Sequence, residues 1–181
     1  NVLYALSHMA AEKSFYTPEH MDRMHKNCRK LAQSMQFSPL FAEYISDTYI
    51  DTVEAAAALC DIGNRSIPQY ILQKDSALDE EEKKLVQSHP EVGAKLLRDL
   101  HVTNDFNDFV RISVDVVNYH HENWDGSGYP ARLKGEDIPL AARIVAVADV
   151  YCALTEKRSF RDAFDKESAL EIMKEESGRK F

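Results

Sequence analysis

Residues 140–155 (LAARIVAVADVYCALT) constrain the fold of this 181-residue chain more than any other stretch. Small and apolar side chains fill nearly every position. A helix that is apolar all round has no face to give to water, so other elements must wrap it. The segments available to wrap it also read as helices. Residues 1–13 carry Val2, Leu3, Leu6, Met9 and Ala10 as one stripe. Thr17-Pro18-Glu19 has the order of N-cap, N1 proline and first-turn acid. The helix behind it would hold His20, Met24, Leu31 and Met35. Ser38-Pro39 repeats the signal and opens a helix toward Leu59, broken near Asp47. Asp79 followed by Glu80, Glu81 and Glu82 has capping-box character. Residues 86–100 read as helix around Pro90, 106–119 as an amphipathic or buried helix, and 122–139 as loop. Asp165 caps a last helix through Met173. No alternating strand pattern, internal repeat or low-complexity linker occurs. The expected fold is all-α, a single helical-bundle domain over residues 1–181.

Composition narrows the function. Apolar residues make up 44%, ample for a core, and the formal net charge is -8. An acidic surface does not attract nucleic acid or an anionic membrane in bulk, so neither DNA nor RNA is an expected partner. An anionic small molecule would need local cations, either metals or a few arginines. Cys28, Cys60 and Cys152 are an odd number without metal-finger spacing, which fits a reducing cytoplasm. The longest apolar runs, 55–60 and 144–148, are too short to span a bilayer, so no membrane insertion is expected. No signal-peptide pattern is present. The chain opens on Asn1 rather than Met and stops just after a helical pattern. It therefore reads as a fragment of a longer protein, with a regulatory or sensor domain expected outside it.

The chemistry concentrates in His120-His121-Glu122-Asn123-Trp124-Asp125-Gly126-Ser127-Gly128-Tyr129-Pro130. Neutral imidazoles beside a carboxylate are the usual material of a transition-metal site. The glycines let backbone approach a ligand closely. His20 and His89 also stand at helix starts or junctions. Asp61 follows Ala55 through Cys60, and Asp149 follows Ile144 through Ala148. A carboxylate in such apolar surroundings needs a cation partner. Arg143 or Arg158 would serve Asp149 as a salt-bridge partner. A metal cluster serves both aspartates and four histidines at once. His8, His25 and His101 read as surface or helix-face residues. Trp124 is suited either to stack on a base or to plug the loop onto the core.

These motifs resemble a known family. Leu59-Cys60-Asp61-Ile62-Gly63 followed by Ile67-Pro68 is similar to the His-Asp signature of the HD phosphohydrolase superfamily. His120-His121-Glu122 with Asp125-Gly126 and Gly128-Tyr129-Pro130 is similar to the second signature of its HD-GYP branch. The likeness extends to Thr17, His20, Arg23, His89-Pro90 and Gly93. It continues through Leu133, Gly135, Ile138-Pro139-Leu140, the run from Ala146 to Tyr151, Ala153-Leu154-Thr155 and Arg158. The resemblance implies an HD-type helical bundle with a central metal cluster of two divalent transition-metal ions. Iron or manganese is expected, with zinc or nickel as alternatives. One ion would be held by His20, residue 60, Asp61 and Asp149. The other would be held by His89, His120 and His121, with Asp61 bridging. The implied substrate is cyclic di-GMP, cleaved to linear dinucleotide and then to GMP by a hydroxide that bridges the metals. Asp61, His121 and Asp149 would be the catalytic set. Tyr129, Pro130, Arg158, Arg161 and Asn64 would contact substrate, the arginines through phosphate.

The chain departs from the family pattern at definite positions. Cys60 stands where the family has histidine, either as a thiolate ligand or as a small buried hydrophobe that has left the site. Asn64 stands where lysine is usual, Tyr16 where some relatives have a third-metal glutamate, Ser66 and Arg132 where glycine is usual, and Cys152 where aspartate is common. Two functions follow. The chain is a metal-dependent phosphodiesterase for cyclic di-GMP, or it is a catalytically degenerate module that binds the nucleotide or a protein partner. Hydrolysis of another cyclic dinucleotide is a third reading.

Overall fold

The computed structural model describes residues 18–99, 108–157 and 162–181, and among these every regular element is helical. The expected helix over 1–13 lies outside the described residues, as do His8, Tyr16, Thr17, His101, Arg158 and Arg161. Helix α1 (Pro18–Gln36) starts at the proline that the sequence places in its first turn. Ser38-Pro39 does not open a helix. Phe41 N–H and Ala42 N–H both close onto Ser38 O, and residues 37–44 stay a series of turns. Helix α2 (Asp47–Ala57) starts instead at Ser46, whose hydroxyl accepts Tyr49 N–H. It stops before Leu59. A 3-10 turn (Ile62–Ser66) and a one-turn helix α3 (Gln69–Leu72) follow.

The expected helix over 86–100 is two helices. Asp79 and Glu82 form the reciprocal capping box of α4 (Glu80–Gln87). The chain breaks at Ser88, and α5 (His89–Asp99) begins afresh with Pro90 in its first turn, where a missing N–H costs nothing. Helix α6 (Asp108–Tyr119) leads into the loop, which holds a short 3-10 turn (Gly135–Asp137). Helix α7 (Leu140–Leu154) and helix α8 (Lys166–Glu175), capped by Asp165, complete the set.

Two apolar clusters hold these elements. The larger joins α1, α2, α6 and α7 through Met24, Cys28, Ile50, Val53, Val116, Ile144 and Val145. The smaller joins the 62–66 turn, α5 and α6 through Leu59, Ile62, Leu97, Val110 and Val117. Val116 and Val117 are adjacent and fully buried in different clusters, so α6 sits between them. Each such side chain contributes about 1.5–3 kcal/mol by leaving water. Helix α7 is not wrapped on all sides. Ala142, Val145 and Ala148 enter the core, while Ala146, Asp149, Val150 and Ala153 line a cavity. Its all-apolar pattern thus serves two surfaces, one packed and one open.

Candidate metal centre

Close approach of backbone to backbone builds the site. Gly63, in the 62–66 turn, faces the first turn of α5; a Cβ there would overlap the His89 carbonyl, and one on Gly93 would crowd Val117 and Ile62. These two glycines let the turn carrying Asp61 lie directly on the helix start carrying His89. At the end of α6, Gly128 lies against the backbone of His121, Glu122 and Asn123 with no room for a side chain. Tyr129 N–H then donates to His121 O at 3.2 Å. The loop is held from inside by buried Glu122, which accepts from Ala131 N–H (2.7 Å) and Leu133 N–H (3.0 Å). The Tyr129–Pro130 peptide is cis, and Arg132 takes φ 55°, the left-handed region in which the usual glycine would be unstrained.

Asp61, His89, His120 and His121 offer ligand atoms that all lie within 4.8 Å of one another. The ring hydrogen bonds set the tautomers. His89 Nδ1–H donates to Val86 O at 2.7 Å. His120 Nδ1–H donates to Val116 O (3.0 Å) and Val117 O (3.1 Å). A carbonyl only accepts, so each Nε2 is left with its lone pair. Both Nε2 atoms are buried without a hydrogen bond, and His89 Nε2 faces Asp61 Oδ1 at 3.5 Å. An unpaired buried acceptor costs about 1–3 kcal/mol. Lone pairs aimed at a carboxylate are worse, and a cation among them relieves both. Burial, reinforced by His120, lowers the His89 pKa to about 4. Burial, with His120, His89 and Lys180 adding, holds His121 well below its ordinary value. Both rings are therefore neutral donors at neutral pH. Imidazole with carboxylate suits iron, manganese or zinc, so the residues fit a divalent transition metal.

His20 and Asp149 stand beside this group. His20 Nε2 lies 3.3 Å from Asp149 Oδ1 and its Nδ1 lies 2.7 Å from Glu156 Oε2. Burial works against charge on this ring, but the two carboxylates outweigh it and raise its pKa. Cys60 packs in the large apolar cluster, where burial, with Asp61 beside it, pushes its thiol far up. Asn64 is fully buried with neither amide atom hydrogen-bonded. Tyr129 stacks on His121 with ring centroids 4.8 Å apart, and burial raises its pKa. Trp124 lies against Gly135 and the Arg143 guanidinium, 5.8 Å from the ring centroid, so it plugs the loop. His25 is half-buried on α1, as a helix-face residue would be.

A cavity of about 780 Å³ opens onto His120, His121, Tyr129 and Asp149. Its wall also includes Arg179 and Lys180, which the sequence did not single out. They arrive there because Trp124 N–H and Asp125 N–H donate to Lys180 O (3.2 Å) and Arg179 O (3.0 Å). Glu156 was likewise not assigned to the site. No local pattern marks a residue just past a helix end as the partner of a histidine 136 positions earlier.

Residues 5–181 match the HD domain family. The chain is 35% identical over 179 residues to a cyclic di-GMP phosphodiesterase of Vibrio cholerae, covering 99% of this chain and 36% of that protein. It is 34% identical over 180 residues to a 3'3'-cGAMP-specific phosphodiesterase of the same organism, covering 99% of this chain and 32% of that protein. The chain thus spans about a third of the length of these relatives. In fold it is similar to a crystal structure of a cyclic GMP-AMP-specific phosphodiesterase of V. cholerae. The TM-score is 0.68 at 20% identity, covering 99% of this chain and 45% of that one. No helix among the described residues is long and apolar enough to cross a membrane. With the HD position and the His120-to-Pro130 loop brought to one site on this fold, the chain belongs to the HD domain family, in its HD-GYP branch.

Proposed function

We propose that this chain is a metal-dependent phosphodiesterase domain acting on cyclic di-GMP, releasing linear dinucleotide and/or GMP. The observation that carries the reading is the meeting of Asp61, His89, His120 and His121 beside an open cavity. In this reading His89, His120, His121 and Asp61 would hold one divalent transition-metal ion, iron or manganese, and Asp61, His20 and Asp149 would hold a second. Bound there, they would supply Lewis acidity and the nucleophile for attack on phosphorus. The chain's own residues do the rest. Nδ1–H bonds from His89 and His120 to backbone orient both rings before any ligand arrives. The Glu122 carboxylate holds the loop that brings Tyr129 to the cavity, and Pro130 beside it is proposed as a further substrate contact. Lys180, and Arg179 in its ion pair with Glu176, add cationic groups to the wall of the same cavity, where they are proposed to meet a diester phosphate. Arg158 and Arg161 are proposed as further phosphate contacts, and Asn64 as a donor released from its buried position by a polar guest. A cytoplasmic location suits the three free buried thiols.

A catalytically silent nucleotide-binding module is the second reading. It is favoured by Cys60, which lies in the core, and by Asn64 in place of a lysine. Anaerobic incubation of the purified chain with cyclic di-GMP and Mn(II) or Fe(II), products resolved by chromatography, separates the two. Product that disappears in His121→Ala supports the enzyme. Tight binding of intact cyclic di-GMP with no product supports the module. Faster turnover of 3'3'-cGAMP than of cyclic di-GMP would replace the substrate assignment.

A further inference from the structure

Glu156 has no counterpart in the signatures that define the site, yet its side chain makes a short contact to a site histidine. Its Oε2 lies 2.7 Å from Nδ1 of His20, a ring with no exposed surface. A carboxylate oxygen there accepts, so Nδ1 carries a hydrogen, and Nε2 is the ring nitrogen left to serve Asp149. Nε2 points the other way, to Asp149 Oδ1 at 3.3 Å. A carboxylate oxygen facing Nε2 is served either by a hydrogen on that nitrogen or by a metal ion that takes the hydrogen's place. Glu156 cannot itself reach such a cation, because the imidazole ring stands between its oxygen and Asp149.

The carboxylate is itself anchored. Arg23, one turn along α1 from His20, lies 3.5 Å from Glu156 Oε1 through Nη1. Its Nη2 donates to Thr155 Oγ1 at 2.7 Å and to Thr155 O at 3.5 Å. Thr155 Oγ1–H in turn donates to Tyr151 O at 2.9 Å. The chain leaving α7 is thereby folded back over the start of α1. The ion site that would use His20 and Asp149 is the one in which Cys60 replaces an imidazole. A carboxylate behind the remaining histidine raises its basicity and fixes its orientation.

We propose that Glu156 is a positioning residue. It holds His20 in the Nδ1–H tautomer, with Nε2 and Asp149 presented together to a divalent cation, and so offsets the ligand missing at position 60. The inference rests on the metal-dependent reading above, but it concerns ion binding and not turnover.

The test is Mn(II) titration of the metal-stripped chain by calorimetry, for wild type, Glu156→Gln and Glu156→Ala. Nitrogen NMR of the His20 ring in the wild-type metal-free protein accompanies it. The expected result is two binding steps in wild type. Glu156→Ala weakens one step by about 10- to 100-fold and leaves the other unchanged. Glu156→Gln, which keeps an oxygen acceptor, recovers most of the loss. The His20 ring shows hydrogen on Nδ1. A single binding step in wild type, equal weakening of both steps, no weakening in Glu156→Ala, or a His20 ring with no hydrogen on Nδ1 overturns the proposal. If Glu156→Ala fails to fold, the wild-type tautomer and Glu156→Gln carry the test. Two intact steps with no hydrolysis of cyclic di-GMP would end the phosphodiesterase reading and leave this one standing.

Discussion

At the scale of single residues, protonation and side-chain size govern the site. His89 has a folded pKa of about 4 against an ordinary 6.5, and burial likewise holds His121 well below its ordinary value. Between those pH values the unfolded chain takes up protons that the folded chain refuses. Their contribution to stability is therefore complete above about pH 6.5 and is lost as pH falls toward 4. His20 has the opposite sign. Its share is complete below 6.5 and is lost as pH rises through its raised pKa. The urea midpoint of the metal-free chain should thus fall on going from pH 7 to pH 5, and fall less in His89→Gln. A midpoint equally pH-dependent in both proteins would contradict the assignment. Cys60 tests the damaged half of the cluster. If it only fills the core, Cys60→Ala costs about 1 kcal/mol in denaturant unfolding and leaves bound metal per chain unchanged. Loss of one ion would make the thiolate a ligand.

At the scale of elements, the site depends on how closely the 62–66 turn and α5 can approach. A methyl at Gly63 has no room against backbone atoms, which cannot swing aside as a side chain can. Gly63→Ala should destabilise the fold by about 3 kcal/mol and separate Asp61 from His89. Mn(II) affinity should fall with it, whereas Ser46→Ala, a cap loss of about 1 kcal/mol far from the histidines, should leave ion binding alone. Equal ion affinity in Gly63→Ala would show that the turn is not what sets the spacing. The same scale explains the helix boundaries that the sequence misplaced. The Ser38-Pro39 cap signal is local, but residues 37–44 turn back so that Ile45 and partly buried Phe41 join the large cluster. Burial at the cluster outweighed a cap worth about 1 kcal/mol.

At the scale of the whole molecule, the proposed function asks an acidic chain of net charge -8 to receive a doubly anionic dinucleotide. The fold answers locally, by hydrogen-bonding the 179–180 backbone to the Trp124–Asp125 loop and so placing two cations on the cavity wall. Lys180→Gln should raise KM for cyclic di-GMP by about 10-fold with kcat little changed, and steepen no salt dependence. An unchanged KM in steady-state kinetics would move the phosphate contacts to Arg158 and Arg161.

Much of this protein was legible along the chain. Helical periodicity marks α1, α6 and α7, and the capping box at Asp79 marks α4, because these depend on neighbours within a turn or two. The aspartates in apolar runs and the paired histidines marked the donors, because an uncompensated buried charge is costly wherever it folds. Which donors meet is a different matter. Asp61, His89, His120 and His121 converge while Cys60 turns into the core, and this follows from two glycines in contact across separate elements. Glu156 and Lys180 reach the site through turns whose direction is set by packing. Contacts between residues more than a hundred positions apart leave no periodic trace, so they arise only once the helices are closed on one another.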